Sequence, residues 1–384
     1  MKRKNAISGR TRLEKPAEKT LKKRRMGQMD YTFLTILIVI VCAGLVMLLS
    51  ASAPAANTKF KNSYHFFVRQ LIYGGIGFAA MIVISRIDYR KYKKHTGTFM
   101  LICVVLLAMV FLPVIGSSHN GSRRWINLYF TEFQPSELMK VVIAMFFAAQ
   151  IEDGRHDLKS WKGLKFYFFW IGIVAALMML ETHLSGTIII CGIAVVVMLV
   201  GGMSYKLIGG GLLVAAPLGL GAAMLLRSDR LTSFLHPFEN VQSSSYQLIQ
   251  GLYAIGSGGL FGVGLGQSVQ KYTYLPEPYN DFIFAIICEE LGFVGAVFVI
   301  ALFAMLIIRG IKIALNAPDV FGMLTVVGIM AQIAIQTVFN IAVVTSTIPN
   351  TGVTMPFFSY GGTALMVLLA EMGIVLNVSR YSEK

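Results

Sequence analysis

The stretch that decides the fold is "LPEPYNDFIFAIICEELG", Leu275 to Gly292, in which a polar turn runs directly into an apolar segment. Its two prolines and its asparagine favour a turn, and the residues that follow are apolar enough to enter a membrane. Asp281 stands where the apolar segment begins, and Glu289 and Glu290 lie further inside it. Because carboxylates in hydrocarbon are costly, the pattern indicates a membrane helix whose acidic residues have a function.

The composition of the whole chain is typical of a polytopic membrane protein. Of 384 residues, 55% are hydrophobic and only 14% are charged, and the mean hydropathy is +0.67. A soluble domain has about 25% charged residues. We therefore predict an all-α polytopic membrane protein with ten transmembrane helices, each near or above the ~20 residues that cross hydrocarbon. The predicted spans are 32–52, 67–86, 96–116, 134–152, 164–182, 184–202, 206–226, 281–308, 319–346 and 360–379.

The distribution of Lys and Arg predicts the orientation. With the N-terminus in the cytoplasm, 25 of the 34 basic residues fall on the inner side of the membrane and 9 on the outer side. Both termini are therefore predicted to be cytoplasmic. Residues 1–30 form a basic tail predicted to be disordered, 31–380 the ten-helix domain and 381–384 the C-terminus. The tail contains no interleaved aromatic residue, so it indicates an anionic lipid surface and no nucleic-acid binding.

Three loops on the predicted outer side are long or unusual in composition. The largest, 227–280, connects helices seven and eight, and the others cover 117–133 and 345–359. Long loops in a compact domain tend to carry functional sites. We therefore expect the functional site at the outer face.

Asp281 has two interpretations at the start of helix eight. It can be an N-terminal residue that the helix dipole stabilises, or a general base whose pKa is raised by partial desolvation. Glu289 and Glu290 follow eight and nine residues later. At 1.5 Å per residue they lie about 12–13 Å deeper. This distance is too large for either to form a catalytic carboxylate pair with Asp281 across one bond of a substrate. They are expected to pair with buried donors and to have a structural or tuning role.

The motif "FQPSELMK" opens the fourth predicted helix. Gln134 or Ser136 can cap it, and Glu137 and Lys140 share a face at i,i+3 spacing. These two residues can form an intrahelical ion pair. Alternatively, Lys140 reaches a substrate phosphate or Asp281, with Glu137 positioning it.

Three other motifs leave alternatives open. Arg123 and Arg124 precede Trp125 in the second loop, where they can bind lipid headgroups or hold a diphosphate through bidentate contacts. The glycine-dense "GSGGLFGVGLGQ", 256–267, has no nucleotide signature; its glycines let backbone amides approach an anion or pack closely. The segment "IPNTGVTMPFFSYGG", 348–362, is either a connector or the lip of a groove for a lipid substrate.

Together, these motifs resemble the SEDS family (shape, elongation, division and sporulation), which includes FtsW, RodA and SpoVE. The similarity covers all ten predicted helices. It is carried by "NGSRRWINL", "FQPSELMK", "YQLIQGLYAIGSGGLFGVGLGQSVQKYTYLPEPYNDFIFAIICEELGFVG" and "TGVTMPFFSYGGTALMVLLAEMGIVLNVSR". The ending "MGIVLNVSR" and the loop "SVQKYTYLPE" are more similar to the FtsW/SpoVE branch than to RodA.

The resemblance implies an inverting peptidoglycan glycosyltransferase that polymerises lipid II at the outer face of the bacterial cytoplasmic membrane. The essential aspartate of the family falls on Asp281, and its Glu and Lys on Glu137 and Lys140. A divalent cation, Mg²⁺ or Mn²⁺, can assist the leaving group, although no metal cage and no organic cofactor are expected. The implied partners are a class B penicillin-binding protein and division or sporulation proteins. Expected substrate-binding residues are Arg123, Arg124, Gln134, Ser136, Glu277, Ser359 and Tyr360.

The chain departs from the family pattern at three places. Tyr279-Asn280 stands where His-Thr is common before the aspartate, Glu181-Thr182-His183 replaces a Q-P-D-like or E-P-H-like turn, and Asn350 replaces an apolar residue. The first departure concerns the immediate neighbours of the proposed base.

Two other functions are compatible with the sequence. A flippase for lipid-linked precursors requires a polar path, which Glu289, Glu290, Gln332, Gln336 and Asn340 could line. A scaffold that only recruits or activates a transpeptidase requires no chemistry at Asp281.

Overall fold

The computed structural model describes residues 27–113, 115–119, 122–127, 131–204, 234, 244–272 and 274–382, and these are mostly helical. The helices are α1 (Tyr31–Phe60), α2 (His65–Ile84), α3 (Arg90–Lys93), α4 (Thr96–Met109), α5 (Pro135–Glu152), α6 (Trp161–Leu180), α7 (Leu184–Val200), α8 (Ser244–Gly258), α9 (Ile283–Leu315), α10 (Val320–Val344) and α11 (Gly362–Ser379). Three short strands are β1 (Gly116–His119), β2 (Ser122–Asn127) and β3 (Glu132–Phe133).

Six described helices, namely α1, α2, α6, α9, α10 and α11, are long and apolar enough to cross a membrane, and α4 and α7 are shorter apolar helices. Outside the described residues lie the predicted span 206–226, nearly all of the basic tail, and residues 227–233, 235–243 and 273 of the loop 227–280. The total of ten spans therefore stays a prediction. The predicted span 96–116 ends early, at Met109, because the chain turns into strand β1.

Helix α1 is longer than its predicted span. Its 30 residues extend about 45 Å at 1.5 Å per residue, which exceeds the roughly 30 Å of hydrocarbon. Asp30 caps its N-terminus, where the carboxylate accepts a hydrogen bond from the Phe33 amide at 2.9 Å. The additional turns at the C-terminal end carry Lys59 and Phe60 beyond the apolar part of the helix.

The three strands form a small antiparallel sheet, ordered β1-β2-β3, which the all-α prediction did not include. Ile126 pairs with both Gly116 and Phe133, so β2 is the central strand. Side chains on a strand point alternately to opposite faces. This alternation separates the two adjacent arginines of β2, one toward the bundle and one toward solvent.

Helix α9 is interrupted, so the single helix predicted for 281–308 is wrong in this respect. Gly292 has φ 68° and ψ −168°, which are not helical. The glycine-dense segment packs into the break: the Val263 amide donates to the Glu289 carbonyl and the Phe293 amide to the Gly259 carbonyl, both at 2.9 Å. A Cβ at Gly262 would lie 2.1 Å from the carbonyl oxygen of Glu290. The glycines of this segment therefore serve close backbone packing.

The bundle has two distinct ends. At one, the termini end, the Asp30 amide donates to Ser379 Oγ at 3.0 Å and Arg309 forms an ion pair with Asp30 at 2.8 Å. At the other, the loop end, the sheet and the segments 277–281 and 350–361 lie together. Helix α11 packs chiefly on α2, and α10 packs on α5, α7 and α9.

Candidate active site

A cavity of about 900 Å³ lies at the loop end. Helices α1 and α2 contribute one wall, α5 and α7 another, and the loop segments lie between them. The predicted site residues that line it are Arg124, Gln134, Ser136, Glu137, Lys140, Glu277, Asp281, Ser359 and Tyr360. The structure therefore brings together residues that are up to 236 positions apart in the chain, from Arg124 to Tyr360.

Asp281 is half-buried at the cavity, at the end of the loop that precedes α9. The N-cap of α9 is Phe282, so Asp281 directly precedes the helix, and both interpretations of its carboxylate stay open. The Asn340 amide donates two hydrogen bonds of 2.7 Å, to the carbonyls of Asp281 and Val353. A Cβ at Gly352, where φ is 68°, would lie 3.1 Å from Asp281 Oδ2. The carboxylate of Asp281 thus lies against Gly352, and Asn340 of α10 holds the backbone of Asp281 by a hydrogen bond.

Glu137 and Lys140 form the predicted ion pair at the first turns of α5. Lys140 Nζ donates to Glu137 Oε2 at 2.8 Å, and the two side chains are only 3% and 11% exposed. Gln134 occupies the N-cap position without a capping bond; its amide instead donates to Ser136 Oγ at 2.9 Å. The pair places a buried ammonium, with two further donor directions, in the wall of the cavity.

Strand β2 directs Arg124 into the cavity and Arg123 away from it. Arg123 is exposed and does not line the cavity, because neighbouring residues on a strand face opposite sides. Arg124 Nη2 donates to the Thr182 carbonyl at 2.6 Å, and Thr182 Oγ1 donates to Ser122 Oγ at 2.8 Å. The α6–α7 turn, where the chain departs from the family pattern, therefore anchors the sheet to the bundle.

Asp281, the buried Lys140–Glu137 pair and Arg124 of β2 surround one cavity. This arrangement agrees with the matches to known proteins. A family model described as the cell cycle protein family of FtsW, RodA and SpoVE matches residues 30–384. The chain belongs to the FtsW/RodA/SpoVE family. It is accordingly a multi-pass protein of a bacterial membrane.

Relatives in the family match over nearly their full lengths. Stage V sporulation protein E of Bacillus subtilis (strain 168) is 42% identical over 358 residues, covering 92% of this chain and 97% of that protein. The probable peptidoglycan glycosyltransferase FtsW of Geobacter metallireducens is 36% identical over 362 residues, covering 94% and 96%. The predicted similarity to the FtsW/SpoVE branch is confirmed by these two relatives.

Solved structures of the family share the fold. One is a chain of a peptidoglycan synthase complex that coordinates polymerization and crosslinking, with a TM-score of 0.79 at 26% identity, covering 92% of this chain and 99% of that chain. Another is the rod shape determining protein RodA of Thermus thermophilus, with a TM-score of 0.70 at 27% identity, covering 93% and 98%. The SEDS fold expected from the sequence motifs is confirmed.

The loop that precedes Asp281 is hydrogen-bonded to the segment that precedes α11. Ser359 Oγ donates to the Asn280 carbonyl at 2.6 Å and accepts from the Met355 amide at 2.8 Å, and the Tyr360 amide donates to the Tyr279 carbonyl at 2.8 Å. Asn280 also donates from its side chain to Glu277 Oε2 at 3.0 Å. The hydroxyl of Ser359 is thus engaged with backbone, and it holds the loop that carries Asp281.

Glu289 and Glu290 lie outside the cavity, at the break of α9, next to the donors expected for them. Glu289 accepts from Ser268 Oγ at 2.5 Å and from the Val269 amide at 2.8 Å. Glu290 pairs with Lys271 Nζ at 2.7 Å and accepts from Ser50 Oγ of α1 at 2.7 Å. These bonds join the loop after the glycine segment to α1 and α9, which agrees with the structural role proposed for the two glutamates.

Sequence reasoning did not single out the contribution of α2. Phe66, Arg69 and Tyr73 have i,i+3,i+7 spacing and line the cavity together. Gln70, on the same side, donates to the Ser359 carbonyl at 3.2 Å and accepts from the Gly361 amide at 3.2 Å. This helical spacing was available in the sequence, but the apolar residues between these positions concealed it.

The α6–α7 turn adds two buried titratable groups beside Arg124. Burial raises the pKa of the Glu181 carboxyl to about 8, and the nearby charge of Arg124 opposes this rise. Burial, together with the charges of Arg124 and Lys140, lowers the pKa of His183 well below its ordinary value. Both shifts favour the neutral form of the group, which leaves the positive charges of Arg124 and Lys140 uncancelled by either group.

A divalent cation in this cavity would have to take some of its ligands from the substrate. Among the residues that the structure describes, no three His, Cys, Asp or Glu side chains are grouped so that they could hold a metal ion. Mg²⁺ often binds through one or two carboxylates together with substrate phosphates. Asp281 and Glu277 both line the cavity and carry carboxylates, the ligand type that Mg²⁺ prefers. The use of Mg²⁺ or Mn²⁺ stays a prediction.

Proposed function

We propose that this protein is a peptidoglycan glycosyltransferase that polymerises lipid II at the outer face of the cytoplasmic membrane. The observation that carries the proposal is the shared cavity, in which a half-buried acid and a buried ammonium lie on different elements. Relatives at 36% identity are named probable peptidoglycan glycosyltransferases, and they match 94% of this chain. The residues of the cavity and the names of the relatives therefore support the same reaction.

In the proposed topology, ten helices cross the membrane and both termini are cytoplasmic. The structure supports this arrangement because α1 begins and α11 ends at the termini end, where Asp30 contacts Ser379. The excess of Lys and Arg on the loops assigned to that side favours a cytoplasmic location. The loop end, with its cavity, then faces outward, where lipid II is polymerised.

In the proposed mechanism, Asp281 accepts the proton of the sugar 4-hydroxyl as that oxygen attacks the anomeric carbon of the donor. The bond from this carbon to the polyprenyl diphosphate breaks in the same displacement, so the anomeric configuration inverts. General base catalysis of this kind usually contributes about 10²–10⁴-fold. A divalent cation bound with the substrate phosphates would supply further charge neutralisation.

Lys140 and Arg124 are proposed to stabilise the leaving diphosphate. Their positive charges face the anionic oxygens whose charge grows as the bond breaks. Glu137 holds Lys140 in position at 2.8 Å. Because the pair is buried, its orientation costs little further entropy when the substrate binds.

The deciding experiment is polymerisation of lipid II by purified protein in detergent, where no membrane separates two compartments. Wild type should form glycan, Asp281→Asn should form none, and the exposed Asp157→Asn should match wild type. Polymer formation in detergent would exclude a transport-only flippase. A folded Asp281→Asn protein that supported full glycan synthesis would exclude the catalytic role and favour a scaffold.

A class B penicillin-binding protein is the proposed partner. The support is the similarity to a chain of a synthase complex in which polymerization and crosslinking are coordinated. Such a partner would cross-link the strands that this protein extends, during division or sporulation. Co-purification with candidate transpeptidases, followed by the same polymerisation assay, tests the assignment.

A further inference from the structure

The proposed reaction joins two molecules that each carry a diphosphate, although only one diphosphate leaves. The second belongs to the acceptor and stays attached to the product. Each diphosphate is strongly anionic and needs cations when it enters a partly desolvated cavity. Lys140 and Arg124 can serve one of them, so a second cationic region is required if the proposed function holds.

The structure contains such a region on the wall formed by α1 and α2. Lys59, in the extended last turn of α1, and Arg69 of α2 both line the cavity. Both are exposed, whereas Lys140 on the other wall is 3% exposed. Exposed cations keep part of their hydration and exchange ligands readily, which suits a substrate that must be replaced in every cycle.

The two cationic walls belong to different parts of the bundle, and the loop carrying Asp281 lies between them. Helix α2 packs mainly on α11 and α1, whereas α5 packs mainly on α10, α4 and α7. The loop reaches the α2 wall through Tyr279, whose ring stacks on Phe66 at 4.5 Å. Phe66 is one turn before Arg69 on the same face of α2.

The surface of α2 next to Arg69 suits a prenylated molecule. Val68, Leu71 and Ile72 flank Arg69 in sequence and are 45%, 48% and 57% exposed on the bundle surface. In a membrane protein such side chains face lipid. A prenyl chain can therefore lie along α2 while its diphosphate turns inward to the guanidinium.

From this arrangement we infer that Arg69, assisted by Lys59, binds the diphosphate of the acceptor, opposite the Lys140 and Arg124 wall that serves the leaving diphosphate. The planar guanidinium offers paired donors to phosphate oxygens. After transfer, the product diphosphate must move from the α2 wall to the α5 wall before it can leave in the next cycle. The two subsites thus define a direction of travel through the cavity.

The test separates acceptor from donor with two compounds that cannot be donors. One is a lipid II phosphonate in which a methylene group replaces the anomeric oxygen, and the other is a neutral alkyl glycoside of the same disaccharide-peptide. With lipid II as donor and labelled acceptors, Arg69→Gln should lower kcat/KM for the phosphonate about tenfold or more. The kcat/KM of Arg69→Gln for the neutral glycoside should change by less than about twofold, because that acceptor has no diphosphate for Arg69 to bind.

Lys61→Gln, an exposed change two residues from Lys59 and outside the cavity lining, is the matched control and should leave both values unchanged. Lys140→Gln should lower both values equally, because both reactions expel the same diphosphate. An equal loss on both acceptors in Arg69→Gln, or no loss on either, overturns the inference.

If Arg69→Gln does not fold, Lys59→Gln provides the same comparison between the two acceptors, with the same two overturning results. Failure of the proposed function is distinguishable, since wild type would then extend neither acceptor.

Discussion

Replacing Lys271 by Met should destabilise the protein strongly, because it leaves the carboxylate of Glu290 buried without its cation. The two side chains are 3% and 0% exposed, and their charged atoms are 2.7 Å apart. Removing one partner of a buried pair typically costs about 3–5 kcal/mol. Ser50 Oγ can still donate to Glu290, so we expect a loss near the lower end, about 3 kcal/mol.

The free energy of unfolding can be measured in mixed micelles by titrating SDS and following tryptophan fluorescence. Arg155→Met is the control, because Arg155 is 67% exposed in its ion pair with Asp153, at 3.4 Å. That change should alter the free energy of unfolding by at most about 1 kcal/mol.

The double variant Lys271→Met with Glu290→Gln should be more stable than Lys271→Met alone, by about 1 kcal/mol or more, since it removes the uncompensated charge. A Lys271→Met protein as stable as wild type would refute the reasoning. So would a double variant whose loss equals the sum of the two single losses.

Three further predictions concern the surroundings of Asp281 and the α6–α7 turn. Asn340→Leu removes two hydrogen bonds of 2.7 Å and should lower the polymerisation rate about tenfold or more, at roughly 1 kcal/mol per bond; an unchanged rate would contradict the positioning role. Gly352→Ala strains a backbone at φ 68°, and its methyl group would crowd Asp281, so both stability, by about 1–2 kcal/mol, and rate should fall; unfolding and activity assays on the same preparation check this. Glu181 has a pKa raised to about 8, so its stabilising contribution is complete below pH ~4.5 and disappears as pH rises through about 8; Glu181→Gln should flatten this decline in melting temperature, and an identical pH profile in both proteins would argue against it.

Much of the fold could be predicted from the chain alone, because membrane helices have a simple requirement. Each must present about 20 apolar residues and satisfy its own backbone, so spans are visible as local composition. The predicted 134–152 and 360–379 correspond to helices Pro135–Glu152 and Gly362–Ser379. The motifs likewise led to Asp281, Glu137 and Lys140 because polar groups at the start of apolar segments are rare.

The features that sequence reasoning missed depend on contacts between distant segments. The break of α9 at Gly292 exists because the backbone of the glycine segment enters it, and local apolarity around 292 does not reveal this. The sheet forms because β1 and β3 pair with β2, and this pairing decides which arginine enters the cavity. Neither result follows from the composition of any single segment.

By itself, the sequence determined the membrane class, the family and the acid at the start of α9, because each depends on residues that are neighbours in the chain. Only the tertiary structure decided which cations share a cavity with that acid. It placed Arg124 inside and Arg123 outside, and it added Arg69 and Lys59 from helices that lie more than 200 residues before Asp281 in the chain. Electrostatic interactions act over distances in space, and separation along the chain does not reveal these distances.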